Sequence, residues 1–253
     1  MASTLDSVIR GLIELEIRLI ACRERLAQET DSEALHDLRT TVRRLRSLIR
    51  PLRESPGVDR LEAAAKAVGA LTTPLRDREV LGAHLHAHGH HDLAQKRIEA
   101  MQGVFPEVAR SQELTQLLQL LGAIAPFLRT ADRLGVTGSV KKTIQKRLRK
   151  QWKRLQETMN DPAHDRHRLR LLIKRVRYAA EAYPDLDRTS PKITKALKNA
   201  QGELGDWHDH LQWLLKAKEE PDLRPCVPAW RASQDEAERR SDKALETLAR
   251  AIE

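Results

Sequence analysis

The chain has 253 residues, of which 40% are hydrophobic and 32% charged, and its formal net charge is +9. This balance is typical of a soluble helical protein with one large or two smaller cores, and it favours acidic partners. The most apolar run, residues 117–128, contains Gln119 and Pro126 and is too short to span a bilayer. The N-terminal stretch lacks the pattern of a signal peptide, so we expect a cytoplasmic protein without membrane segments.

The first half of the sequence predicts a succession of amphipathic helices. Asp31, with its neighbours Thr30 and Ser32, supplies N-cap chemistry for the second helix, and Pro74 predicts the start of a fourth. A histidine-rich helix end and loop follows, broken at Gly89. The predicted helices cover residues 4–28, 36–53, 58–72, 74–81, 92–102 and 106–132.

Gly135 and Gly138 mark a join, which predicts an N-terminal half over residues 1–134 and a C-terminal half over 135–253. Asp161 and Pro162 predict the N-cap and first turn of the helix that carries His167. The helices of this half are predicted over residues 139–159, 167–183, 190–204 and 206–219, with a last helix after a proline-rich turn. Because no segment shows sustained strand alternation, the predicted fold class is all-α.

The helix HDLRTTVRRLRSLIRPLR is split lengthwise into an apolar and a cationic side. At 100° per residue, its apolar residues form a seam that suits burial, whereas one histidine and five arginines share a stripe about 100° wide. Arg44 lies beside that stripe. Aligned cations repel one another, and arginine forks pair bidentately with phosphate, so the stripe predicts a polyanionic ligand. The stripe consists of His36, Arg39, Arg43, Arg46, Arg50 and Arg53.

The same pattern recurs in HRLRLLIKRVRYAAEAY. His167, Arg170, Lys174 and Arg177 repeat the offsets of the first stripe, and Arg175 corresponds to Arg44. An aspartate follows each stripe at a similar distance, at Asp77 and Asp209, which we expect to orient an arginine of its stripe. A pattern repeated at this separation indicates two related halves. The preceding helix adds a further cationic stripe, formed by Lys142, Lys146, Arg149 and Lys153.

At these residues the sequence resembles the CHAD family, the histidine-containing α-helical domain, over nearly the whole chain. The resemblance implies two four-helix bundles related by a pseudo-twofold axis, with a basic groove between them. It also implies binding of inorganic polyphosphate rather than catalysis, and recruitment to polyphosphate stores or granules. The residues predicted to bind the phosphates are His36, Arg39, Arg43, Arg44, Arg46, Arg50, Lys142, Lys146, Arg149, Lys153, His167, Arg170, Lys174, Arg175 and Arg177.

Some features of the sequence suggest functions other than polyphosphate binding. General polyanion or nucleic-acid binding shares the same electrostatics, but only 3% of the residues are aromatic, which is few for base stacking. No nucleophile–base pair, phosphate loop or cofactor motif is present, so we expect neither catalysis nor a cofactor. His84 and His88 have the spacing of a metal pair, although we expect no metal site. Glu14, Glu16 and Arg18 read ExExR, close to the ExExK signature of tunnel-type triphosphate hydrolases. That signature needs a β-strand, but here the residues fall on a predicted helix.

Overall fold

The computed structural model describes residues 3–161, 163–187 and 189–252, and all regular secondary structure in these ranges is helical. The all-α prediction is therefore confirmed. The α-helices are α1 (Thr4–Ala27), α2 (Ala34–Ile49), α3 (Val58–Ala87), α4 (His91–Glu99), α5 (Val104–Arg110), α6 (Gln112–Arg133), α7 (Val140–Met159), α8 (Arg166–Ala182), α9 (Pro191–Glu219) and α10 (Val227–Ile252). Short 3-10 helices cover Arg50–Leu52 and Pro221–Cys226.

The chain forms two compact units, Met1–Lys146 and Arg147–Glu253, and α7 runs across the division. In the first unit, α1 packs on α2, α2 on α3, α3 on α6, and α6 on α1. The predicted seam of α2 is buried in this core: Leu38, Leu45 and Ile49 are at most 2% exposed. Burying each such side chain contributes about 1.5–3 kcal/mol, which holds the opposite, cationic side of α2 away from the core.

Helix α3 continues through Pro74, so the predicted break at that residue is wrong. Proline has no N–H, and the carbonyl one turn earlier loses its usual partner. Here the turn before Pro74 is held by side chains: the Thr72 hydroxyl donates to the Val68 carbonyl at 2.8 Å, and the Thr73 hydroxyl donates to the Gly69 carbonyl at 2.7 Å. Because α3 also packs on α2, α4 and α6, tertiary contacts outweigh the local preference.

Two further helix boundaries differ from prediction. Two helices were predicted over residues 190–204 and 206–219, but the structure has the single continuous helix α9. Ala200 and Leu204, close to the predicted break, are completely buried in the core of the second unit and hold the helix together there. The stretch 106–132 is instead divided between α5 and α6. Ser111 caps α6, since its hydroxyl accepts a hydrogen bond from the Leu114 amide at 3.3 Å.

The predicted N-caps of the two histidine helices are also corrected. Glu33 precedes α2 without a side-chain cap, while the Asp31 carboxylate binds Arg25 Nη2 at 2.6 Å. Asp165 caps α8, accepting a hydrogen bond from the His167 amide at 2.9 Å. Asp161 is therefore not the cap, and Pro162 lies outside the described residues.

In the second unit, Leu155 of α7 packs with the apolar faces of α8, α9 and α10. Leu169, Ile173 and Val176 bring α8 into this core, at 2% exposure or less. Their register leaves the histidine and the basic residues of α8 on the remaining sides of the helix. Within the described ranges, each helix is too short or too polar to cross a membrane.

Candidate functional site

Arg39 is turned towards α3 and binds it. Its Nη1 donates to Thr72 Oγ1 at 2.9 Å, to Thr73 Oγ1 at 3.2 Å and to the Gly69 carbonyl at 3.4 Å. Burial lowers the pKa of the half-buried guanidinium, and the nearby Asp77 carboxylate opposes that shift. This arginine therefore joins two helices at the edge of the cationic stripe.

Arg46 and Arg50 of the first stripe are also half-buried, whereas Arg53 at its end is exposed. Arg50 Nε, in the 3-10 helix that follows α2, donates to Glu62 Oε1 of α3 at 3.3 Å. Burial, followed by the charge of Arg50, lowers the pKa of Arg46. The Nε atom of Arg46 is buried, and within the described residues it has no hydrogen-bond partner. An N–H group in this state is a donor that an anion can satisfy.

Arg43 and Arg44 are the exposed members of the predicted α2 site. Arg43 Nη2 donates to Thr40 Oγ1 at 3.2 Å, and the same hydroxyl lies 3.5 Å from His36 Nε2. His36, at the start of α2, is half-buried. The hydroxyl of Thr40 thus connects the histidine with the first exposed arginine, and an anion on this face can meet both side chains.

The cations predicted on α7, namely Lys142, Lys146, Arg149 and Lys153, are all exposed. Only a weak ion pair is seen among them in the described part of the chain, from Lys153 Nζ to Glu157 Oε1 at 3.8 Å. Since both of its partners are well exposed, that pair is easily exchanged for a contact with a ligand. Helix α7 therefore presents a row of accessible positive charge.

The residues predicted to bind phosphate on α8 differ in their exposure. His167 and Arg175 are exposed, and Arg170 and Lys174 are half-buried. Arg177 is only 18% exposed: its Nε donates to Gln201 Oε1 of α9 at 2.7 Å and its Nη1 to Glu181 Oε1 at 2.7 Å. Like Arg39 in the first unit, Arg177 holds two helices together.

His208 of α9 lies next to the basic residues of α8. It was not among the residues predicted from the sequence. Its ring centroid lies 5.2 Å from that of His167. Burial, then the charges of Arg170, His167 and Lys174, lower its pKa to about 4. The repeat offered a signal, because pairing Asp77 with Asp209 aligns Arg76 with His208, so that a basic residue directly precedes the aspartate in each half.

Comparison with known proteins shows the family and the fold of the chain. The family model described as "CHAD domain" matches residues 12–215. The chain belongs to the CHAD family. Two solved structures share its fold: the CHAD domain from the plant Ricinus communis, at 23% identity and a TM-score of 0.75, and PptA from Streptomyces chartreusis, at 17% identity and a TM-score of 0.55. The alignments cover 99% of this chain in both cases, and 92% and 99% of those chains. No curated protein sequence matches the chain.

In the histidine-rich tract of this CHAD protein, residues 84–91, the histidines contact one another and the backbone. The rings of His84 and His88 stack at 4.0 Å between centroids, and Nδ1 of His88 lies 2.8 Å from the His84 carbonyl. Across the described residues, no group of three or more histidine, cysteine, aspartate or glutamate side chains is arranged to hold a metal. Glu14, Glu16 and Arg18 lie on α1, where residues two apart point in different directions.

Proposed function

We propose that this CHAD protein binds inorganic polyphosphate without catalysis, through the cationic faces of α2, α7 and α8. The single observation that carries the proposal is the row of four exposed cations on α7, in a chain whose histidine-led cationic stripe recurs on α2 and α8. Phosphates repeat along the polymer as charges do along these helices, so one chain can displace counterions from many side chains at once. We further propose that binding recruits the protein to cellular polyphosphate.

The geometry favours a phosphate chain over a nucleic acid. Readers of single strands stack bases on accessible aromatic rings. Trp213 and Trp230 are buried at 8% and 3% exposure, and Trp152 and Trp207 are half-buried. All four tryptophans thus serve packing more than they serve recognition. The accessible side chains of the three stripes are cationic, and they can bind phosphate without base stacking.

The predicted residues have different tasks in polyphosphate binding. Arg43, Arg44, Lys142, Lys146, Arg149, Lys153, His167 and Arg175 are accessible and contact the polymer, with Arg46, Arg170 and Lys174 reaching it from partly buried positions. Arg39, Arg50 and Arg177 chiefly hold the stripe helices against their neighbours. His36 donates to phosphate beside Arg43. We also propose that the polymer binds in the groove that the family resemblance predicts between the halves.

The decisive experiment is a titration of labelled long-chain polyphosphate, repeated with RNA of equal phosphate concentration as competitor. We expect tight binding that weakens steeply with salt and resists RNA. Reversing Arg43 and Lys174 to glutamate should abolish binding while circular dichroism stays unchanged. The control is Lys243→Glu together with Lys195→Glu, which changes the net charge equally at exposed positions outside the stripes. Equal loss in both double variants, or full competition by RNA, would replace the proposal with unspecific polyanion binding.

Whether both halves bind the same polymer is tested by chain length. If one polyphosphate chain spans both cationic surfaces, long chains should bind far more tightly than tripolyphosphate, because the second contact is intramolecular. Either reversal alone should then remove most of this chain-length effect. If long and short polymers bind equally well per phosphate, the prediction of a groove shared by both halves is wrong. Phosphate binding by each cationic surface separately would be unaffected by that result.

A further inference from the structure

His208 has an unsatisfied polar atom inside a cationic cluster. The side chain is half-buried on α9, its ring tilts against that of His167, and its Nδ1 atom is buried. Among the described residues, that atom has no hydrogen-bond partner. A buried polar atom without a partner destabilises the folded protein. A position that retains such a group beside a binding surface is a candidate for contact with the ligand.

Three positively charged side chains of α8 act on His208 and lower its pKa: Arg170, His167 and Lys174. On the side of α9 that packs against α10, Arg240 binds the carboxylates of Glu203 and Asp206 at 2.8 Å and 3.4 Å. Those acids are therefore engaged by another cation. In the free protein, burial and the α8 cations keep the His208 imidazole neutral at physiological pH, with a pKa of about 4.

We propose that His208 is a phosphate-binding residue and that its imidazole takes up a proton when polyphosphate binds. This inference rests on the proposed function and adds a residue and a regulator to it. Phosphate oxygens placed among Arg170, Lys174 and His167 offset the repulsion that keeps the ring neutral. The proton comes from the buffer and joins the unprotonated ring nitrogen, so that both nitrogens become donors. A phosphate oxygen that approaches the ring then accepts a hydrogen bond from the imidazolium.

Proton uptake makes the affinity depend on pH with a defined sign. The group binds a proton in the complex but not in the free protein, so polyphosphate binding strengthens as pH falls. One linked proton changes Kd by at most about tenfold per pH unit, within the window between the free and the bound pKa of the ring. Below pH 4 the free ring is also protonated, and this contribution levels off.

The test is calorimetric titration of polyphosphate into the full chain at pH 6.5, in two buffers of different ionisation enthalpy. The difference in heat gives the number of protons taken up. His208→Asn removes the titrating ring while keeping a polar side chain. His210→Asn is the matched control, because His210 lies on the same helix and its Nδ1 already contacts the Asp206 carbonyl at 2.8 Å. Circular dichroism and tryptophan fluorescence check that both variants fold.

We expect His208→Asn to take up fewer protons than the wild type and to lose part of the strengthening at low pH, with His210→Asn unchanged. Equal uptake by the wild type and His208→Asn overturns the inference and leaves polyphosphate binding intact. Absence of binding by the wild type overturns the proposed function as well. Should His208→Asn fail to fold, the ring titration of His208 is followed by NMR in the wild type: a pKa that does not rise when polyphosphate is added contradicts the proposal.

Discussion

Arg39 Nη1 lies 2.9 Å from Thr72 Oγ1, in the turn of α3 that precedes Pro74. A residue from a cationic stripe thus supports the helix turn in which proline has removed a backbone hydrogen bond. Thr72 is completely buried and donates to the Val68 carbonyl, so its oxygen accepts from Arg39 while its proton is used within α3. The same guanidinium that suits phosphate chemistry is here a structural donor.

Arg39→Ala should therefore reduce stability more than any exposed member of its stripe. Removing the side chain breaks the bonds to Thr72, Thr73 and Gly69, and we expect a loss of about 1–3 kcal/mol in the free energy of unfolding. Urea denaturation followed by circular dichroism measures the change. Arg43→Ala, at an exposed position, is the control and should cost less than about 0.5 kcal/mol. Equal losses in the two variants would contradict the structural role.

Arg177→Ala should destabilise the second unit in the same way. Its guanidinium bridges α8 to Gln201 of α9 and also binds Glu181, with only 18% of the side chain exposed. We expect a cost of about 1–3 kcal/mol. Tryptophan fluorescence during urea denaturation is the measurement, because all four tryptophans belong to this unit. Arg175→Ala, at an exposed position, is the control and should leave the urea midpoint unchanged. A shift of the midpoint as large as that of Arg177→Ala would show that loss of charge, not loss of the bridge, is the cause.

Stability should fall between pH 6.5 and pH 4 because of His208. Its pKa is lowered to about 4 in the folded protein, so the unfolded chain binds the proton first as pH decreases. The contribution is fully present above the unfolded pKa of about 6.5 and is lost progressively below it, with a size of about 1–3 kcal/mol after allowance for partial exposure. Urea midpoints at pH 7 and pH 5 measure it. His208→Asn should show a smaller pH dependence than wild type; an identical dependence would assign the effect to other groups.

The salt dependence of polyphosphate binding should decrease as cations are removed from α7. Each phosphate contact that releases a counterion contributes about 0.7–0.9 to the slope of log K against log salt concentration. Lys146→Ala combined with Arg149→Ala should therefore lower the slope by up to about 1.8, by loss of two contacts. Lys195→Ala combined with Lys198→Ala, on the exposed surface of α9, provides the comparison. An unchanged slope in the α7 variant would place the polymer elsewhere.

The amino-acid sequence by itself determined the fold class, the helical seams and the location of most of the positive charge. Leu38, Leu45 and Ile49 are buried as their spacing predicts, because one helix can face a core only along such a seam. The spacing of Lys142, Lys146, Arg149 and Lys153 likewise predicted one face of α7, and all four are exposed.

Tertiary structure decided which members of the stripes remain accessible. A stripe about 100° wide includes both outward positions and positions beside the next helix, and periodicity does not distinguish them. Arg39 and Arg177 thus became partners of α3 and α9. Helix α3 crosses Pro74 because its packing on α2, α4 and α6 outweighs the local preference of proline. His208 joined His167 only when α9 packed against α8, since proximity between helices depends on packing that local sequence does not encode.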